Sequence, residues 1–288
     1  MNTAIKEFDV VVIGAGPGGI FTAFELSRLQ NNLRIAVFEA GNSLEKRKCP
    51  IDGVKVKSCL GCKPCAIMNG FGGAGAFSDG KYNITNSFGG TLHEYVGKAK
   101  ATELMEYVDQ INLAYGGEGT HLYTTANSDI KKLCVQNGLH LLDASVRHLG
   151  TDINYIVLEN LYNELKEKVE FHFRAPVETV GKTDDGYTVV SGGEEYTCDY
   201  CVISAGRSGS KWMEGVCRDL KIPTKSNRVD IGVRVELPAA VFSHLTDELY
   251  ESKIVYRTKQ YGDKVFVSGD YAEVVFTTEV DPAQYDVL

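Results

Sequence analysis

Cys49, Cys59, Cys62 and Cys65 stand in a C-x9-C-x2-C-x2-C pattern, and the last of them runs into the glycine-rich stretch NGFGGAGAFSDGK at residues 69–81. A C-x2-C-x2-C run curls the backbone so that thiolates converge, and Cys49 followed by Pro50 matches the Cys-Pro ending of bacterial ferredoxin ligand runs. Four thiolates also suit a tetrahedral zinc ion. Three readings stand at this level: a metal or iron–sulfur centre on these four cysteines, redox-active thiols, or cysteines without chemistry. The neighbouring Lys46-Arg47-Lys48 would lower thiol pKa values, although a basic triplet reads more simply as a solvated loop. Cys198 and Cys201 form a C-x-x-C at the start of a predicted strand, where residues three apart point to opposite faces, so no redox pair is expected there. Cys134 and Cys217 fall on predicted helices as packing residues.

The elements that would position a site begin at the amino terminus. FDVVVIG, residues 8–14, is an apolar β-rich run, and residues 17–30 carry Ile20, Phe21, Ala23, Phe24, Leu26 and Leu29 at helical spacing. RIAVFE, residues 34–39, is a second buried strand. Between the first strand and the helix sits GAGPGG, which fits G-x-G-x-x-G at Gly14, Gly16 and Gly19, with Pro17 and Gly18 inside the turn. Gly14 allows the tight turn, Gly16 lets a pyrophosphate approach the backbone, and Gly19 lets the helix pack on the strands. The helix amino terminus then faces the negative charge. Glu39, followed by Ala40, closes the second strand where a carboxylate accepts hydrogen bonds from a ribose diol. The order strand, turn, helix, strand, acid predicts dinucleotide binding.

A sheet built for NAD alone should continue with alternating helices and strands, yet residues 41–90 are rich in glycine and cysteine without a clear period. Much later, TCDYCVISAGRSG at residues 197–209 is an apolar strand ending in Ala205-Gly206-Arg207. This resembles the second signature of FAD-dependent oxidoreductases with a glutathione-reductase-type fold. Residues 170–197, with strands broken by Asp-Gly and Gly-Gly turns, resemble the β-meander before that signature, which implies that Val177 meets the adenine. The combination of Cys49-Pro50, CLGCKPC, GFGGAGAFSDGK, RHLGTD (147–152) and VDIGVRVELP (229–238) is similar to a family of bacterial FAD-dependent dehydrogenases with an undefined substrate. The resemblance covers most of residues 5–260. It implies FAD contacts from Gly73, Ala74, Gly75, Ser78 and Asp79, since glycines leave amides bare for anionic oxygens. His148, in a string the family shares, is the general acid/base candidate, with Arg147 as an anion clamp and Arg207 in reach of cofactor or substrate. Relatives close the site with a Gly-Asp strand and a helix. Ser268-Gly269-Asp270 has those letters, but the following residues read as a strand and a tail, so the chain is expected to be cut short or to end unusually.

The 288 residues, 43% hydrophobic and 24% charged, can build one large or two smaller cores. With 30 basic against 38 acidic residues, a net charge of -8 and no Lys/Arg run beyond the triplet, nucleic-acid binding is not expected. No apolar run reaches the roughly 18 residues of a membrane span and no signal peptide is seen, so a cytoplasmic location is expected. Residues 93–114, 124–137 and 153–168 read as helices, the last capped by Thr151 or Asp152. Strands are expected at VDIGVRVEL, KIVYRT and KVFVSG, with Tyr256, Tyr261 and Phe266 facing a cavity or a core.

The expected fold class is therefore α/β: a Rossmann-like FAD-binding domain, residues 1–92 and 168–215, with a helical insertion at 93–167, a β-meander, and a partial antiparallel β subdomain at 216–288. The expected function is an FAD-dependent oxidoreductase or dehydrogenase acting on a small-molecule substrate or electron carrier, with NAD(P)H as a candidate partner. A cysteine or flavin redox sensor, an electron-transfer protein and a cofactor-free fragment are the alternatives.

Overall fold

The computed structural model describes residues 6–126, 128–226, 229–257, 264–270 and 273–280. In chain order the first elements are β1 (Lys6–Ile13), α1 (Pro17–Leu29), β2 (Ile35–Glu39), β3 (Lys81–Ile84), α2 (Leu92–Val96), α3 (Lys98–Asn112) and β4 (Leu122–Thr124). Then come α4 (Asp129–Gln136), β5 (His140–Leu141), β6 (Ser145–His148), α5 (Gly150–Leu165), β7 (Glu170–Phe173), β8 (Val177–Lys182), β9 (Tyr187–Ser191) and β10 (Glu194–Ile203). The chain continues through α6 (Ser210–Asp219), β11 (Val229–Glu236), α7 (Ala239–Thr246), β12 (Ser252–Arg257), β13 (Lys264–Asp270) and β14 (Glu273–Val280). Contacts divide it into two compact units.

The first unit comprises residues 1–80, 115–118 and 149–224. Its six-stranded sheet has the order β7-β2-β1-β10-β9-β8. β1 pairs in parallel with β2, Val10 opposite Ile35, and with β10, Val10 opposite Tyr200. Strands buried on both faces must be apolar throughout, which is why Val11 and Val12 are wholly buried. α1 buries Gly19, Ile20, Ala23 and Phe24. A Cβ on Gly19 would lie 1.8 Å from the Gly14 carbonyl oxygen, so only glycine lets this helix sit down on the turn. The meander is β8-β9-β10, paired antiparallel. β7 differs from the expectation by joining the parallel sheet beside β2. Arg174, at φ 55, then turns the chain out of that strand, and its amide bonds to the Gly41 carbonyl at 2.7 Å.

α5 starts at Gly150, ahead of the expected Thr151 or Asp152 cap, and no side chain caps it. It belongs to this first unit, where it packs against α1 and the glycine-rich turn. The expected helical insertion is thus not one body.

The second unit comprises residues 81–114, 119–148 and 225–288. It holds α2, α3, α4 and α7 with two antiparallel sheets, ordered β3-β6-β4 and β11-β14-β13-β12-β5. The strands inside residues 81–148 were not expected. They are two to four residues long, too short to establish a period-two pattern. β11, β12 and β13 match the three later strand expectations, and β14 is the strand read behind Ser268-Gly269-Asp270. Tyr261 lies outside the described residues, as do 281–288. Among the described residues, no helix is long and apolar enough to cross a membrane.

Candidate functional site

A groove of about 610 Å³ opens in the first unit where the turn after β1, the end of β2, the glycine-rich segment and the end of β10 converge. Its lining includes Gly14, Gly16, Pro17, Gly18, Glu39, Ala40, Gly73, Ala74, Gly75, Val177, Ala205, Gly206 and Arg207. These come from five stretches spread over nearly two hundred residues. Of the expected cofactor contacts, Gly19, Ser78 and Asp79 stand apart from the lining. Gly19 serves the packing of α1 on β1, as its close approach to Gly14 requires. Ser78 is exposed, and its hydroxyl donates to the Gly75 carbonyl of its own turn at 2.8 Å. Asp79 accepts the Gly150 amide on its carbonyl at 2.9 Å, which ties the segment to α5.

The floor of the groove is built by Glu39. Its carboxylate is buried, with Oε2 accepting the Ala15 amide at 2.8 Å and Oε1 accepting the amides of Gly41 at 2.8 Å and Gly70 at 2.9 Å. The expected ribose acceptor is thus first a structural hub that joins turn, strand end and glycine-rich segment. A carboxylate offers about four acceptor positions, so one remains on Oε2 for a hydroxyl.

Arg47 closes the same region from below. The sequence suggested a solvated loop, but the side chain is buried, with Nε donating to the Ala66 carbonyl at 2.9 Å, Nη1 to Phe71 at 2.5 Å and Nη2 to Ile67 at 2.7 Å. Its guanidinium also lies 4.8 Å from the Phe77 ring centroid. Burial lowers its pKa, with Glu39 opposing that shift. Asn154 of α5, also buried, donates to the Gly75 carbonyl at 3.0 Å and holds the glycine-rich segment from the other side. Trp212 lines the groove with Pro176 and Val177, and its Nε1 donates to the Glu178 carbonyl at 3.0 Å. A polar residue on the apolar face of α5 was the available signal for Asn154. Trp212 offered none, because its approach to Val177 is a product of the fold.

Whether this groove suits FAD can be asked of its glycines. Gly14 has φ +101 and a Cβ there would lie 2.8 Å from the Ser204 carbonyl oxygen, so the protein itself demands glycine. Gly16 is different. Its φ is −76, open to any residue, and a Cβ would meet nothing nearer than the Gly73 Cα at 3.9 Å. Gly206, at φ −80, and Gly75 have nothing within 4 Å of an added Cβ. The protein has room for side chains at these three positions, and each would project into space that an extended ligand needs. No side chain caps α1, and Pro17 at its start brings no N–H. The first-turn amide of Gly18, which lines the groove, therefore remains available to an anion. The residues fit a dinucleotide of the FAD type.

The expected metal set is not assembled. Cys59 and Cys62 are exposed and Cys49 and Cys65 half-buried. Among the described residues no group of three or more His, Cys, Asp or Glu side chains is arranged to hold a metal ion. The Cys59 sulfur instead accepts the Gly61 amide at 3.4 Å.

Cys198 and Cys201 depart from the alternation rule in the other direction. Asp199 and Tyr200 are both exposed, while Cys198 and Cys201 pack into one core cluster. The neighbouring Cys198 thiol, with burial, raises the Cys201 pKa.

The catalytic candidates lie in the second unit. His148 Nδ1 is 2.6 Å from the Tyr250 hydroxyl, and Tyr250 stacks on Tyr123 with centroids 4.2 Å apart. Lys81 lies 5.7 Å from the Tyr250 ring centroid and 3.7 Å from Glu251. Arg147 is not placed as an anion clamp. It is buried, with Nε and Nη2 bidentate on Asp109 at 2.5 and 2.8 Å and Nη1 on the Thr120 carbonyl at 2.7 Å. This pair borders a second hollow of about 660 Å³, otherwise lined largely by charged and polar side chains of α3.

Residues 116–223 match the family model of flavin containing amine oxidoreductases. No curated protein matches the chain. Among solved structures, glycine oxidase from Geobacillus kaustophilus is similar at 12% identity over 96% of this chain and 72% of its own, with a TM-score of 0.47. NikD, an unusual amino acid oxidase essential for nikkomycin biosynthesis, is similar at 10% identity over 98% of this chain and 74% of its own, with a TM-score of 0.45. CtdE, solved in complex with FAD, is similar at 12% identity over 98% of this chain and 61% of its own, again at 0.45.

Proposed function

We propose that the chain is an FAD-dependent oxidoreductase that acts on a small-molecule substrate. One observation carries the reading: Gly16, Gly75 and Gly206 line the groove without a side chain although the fold has space for one at each. Gly18 would hold the diphosphate with its amide, the spare acceptor on Glu39 a ribose hydroxyl, and Pro176, Val177 and Trp212 the adenine. Bound FAD supplies a two-electron acceptor that the side chains cannot provide. Arg207, which lines the groove, offers a cation to cofactor or substrate. His148 is the candidate that takes or gives the substrate proton, with Tyr250 fixing the imidazole through Nδ1. Amines are the first substrates to test, because the matched segment belongs to a flavin containing amine oxidoreductase model. NAD(P)H is the alternative donor.

The test is Gly16→Val. The φ of −76 accommodates valine and the fold has room for its Cβ, so the circular dichroism and melting profile should match the parent. Flavin absorbance after FAD incubation should be lost, and quenching of Trp212, the single tryptophan, should be lost with it. Unchanged flavin content in a folded valine variant overturns the assignment.

A further inference from the structure

Residues 47–72 form a 26-residue connection with no regular secondary structure, between short helical turns at Leu44–Lys46 and Gly73–Phe77. Unstructured loops longer than about 12–15 residues are uncommon inside compact domains and usually serve a function or stay disordered. This one is firmly rooted. Arg47 holds the carbonyls of Ala66, Ile67 and Phe71, the Phe71 amide donates to Asn42 at 3.0 Å, and the Gly72 amide donates to Ala15 at 2.8 Å. Beyond the root, residues 50–63 are exposed except for half-buried Val56.

The exposed part is chemically unlike the remainder of the chain. Lys48, Lys55, Lys57 and Lys63 project from it beside Lys46 at its base, all exposed. They belong to a protein whose net charge is -8. The acid in this stretch, Asp52, is turned onto its own loop, Oδ1 accepting the amides of Val54, Lys55 and Val56 at 2.7–2.9 Å. Among the lysines stand exposed aliphatic side chains, Val54 at 77% and Leu60 at 62% exposure. The far end of the loop reaches the groove, where Pro64, Met68 and Asn69 are part of the lining.

The geometry points to a docking surface for a small acidic electron-carrier protein on the loop 48–63. Exposed lysines interspersed with a few exposed aliphatic side chains are the composition of a transient, electrostatically steered interface. A net charge of -8 disfavours a long polyanion that extends past the loop, whereas a compact acidic domain can confine its contact to the loop. The redox character of the partner rests on the flavin reading above, because the loop borders the groove assigned to FAD.

The experiment measures binding of two acidic probes, a plant-type [2Fe–2S] ferredoxin and a flavodoxin, by calorimetry and stopped flow in 20 and 200 mM salt with reductant present. At least one probe should bind at low salt and weaken about tenfold or more at 200 mM, as steering interactions do. The triple variant Lys55→Gln, Lys57→Gln, Lys63→Gln should lose about tenfold in association rate at 20 mM and flatten the salt dependence. The matching Lys→Arg triple should retain both. No binding of either probe, an unaffected glutamine triple, or tighter binding of heparin or anionic vesicles than of either probe overturns the proposal. Binding is run on FAD-loaded and FAD-free protein. Docking without flavin uptake refutes the flavin reading alone, and flavin uptake without docking refutes this surface alone.

Discussion

Glu39→Gln tests the groove floor most directly. The carboxylate accepts three backbone amides, from Ala15, Gly41 and Gly70, while buried. Glutamine keeps one carbonyl oxygen, enough for the Gly41 and Gly70 amides, but sets an NH2 against the Ala15 amide. The bond lost was charge-assisted, about 1.5–3 kcal/mol, and leaves a buried donor unpaired. The two retained bonds fall to neutral strength, roughly half of a charge-assisted one. Together these give a destabilisation of about 3–5 kcal/mol in the first unit. Urea unfolding followed by fluorescence of Trp212, which lies in that unit, reads it without assuming that the whole chain unfolds in one step. FAD affinity should also fall by tenfold or more, since the hub aligns turn, strand end and glycine-rich segment. A glutamine variant within about 0.5 kcal/mol of the parent, the typical spread of a neutral surface change, and with the same FAD affinity, would refute the hub.

Arg147→Met should destabilise the second unit by about 3–5 kcal/mol, because it strands a buried Asp109, with FAD uptake by the first unit unchanged. Loss of substrate affinity at constant stability would restore the anion-clamp role. His148→Asn should lower kcat by about a hundredfold, in the range of lost acid–base assistance, at parental flavin content; an unchanged pH–rate profile would remove His148 from the chemistry. Acid should weaken the fold through His172. Burial depresses its pKa below the usual 6.5, against the opposing pull of Glu170 at 2.9 Å. The unfolded chain therefore takes the proton first, and this contribution is present above about 6.5 and lost as pH falls through the lower folded value. The urea midpoint should drop between pH 7.5 and 5.5, and His172→Phe, which keeps the stack on Phe38, should flatten that drop.

What could be read from residue order alone was whatever depends on neighbours in the chain. The GAGPGG turn, its flanking apolar runs and the Ala205-Gly206 strand end carry their geometry in a few consecutive residues, and the groove draws on all three. Glu39 was legible as an acid at the right place but not as a hub, because two of its donors, Ala15 and Gly70, are set by the fold. Arg47 was hidden by its lysine neighbours: one of three adjacent cations turns inward, and only the carbonyls of residues 66–71 decide which. Cys198 and Cys201 misled because the alternation rule assumes a regular strand, whereas Asp199 and Tyr200 both face out. Arg147 looked like a ligand-binding cation because its partner, Asp109, lies 38 residues away.

The knot of bonds at the root of the long loop separates two jobs that share a stretch of chain. Because Arg47, Asn42 and Ala15 fasten residues 66–72 from the protein side, the sequence between 50 and 62 can be shortened, recoloured in charge or exchanged for another without moving the glycines that face the groove. Changes of partner can therefore accumulate there while the redox centre stays as it is.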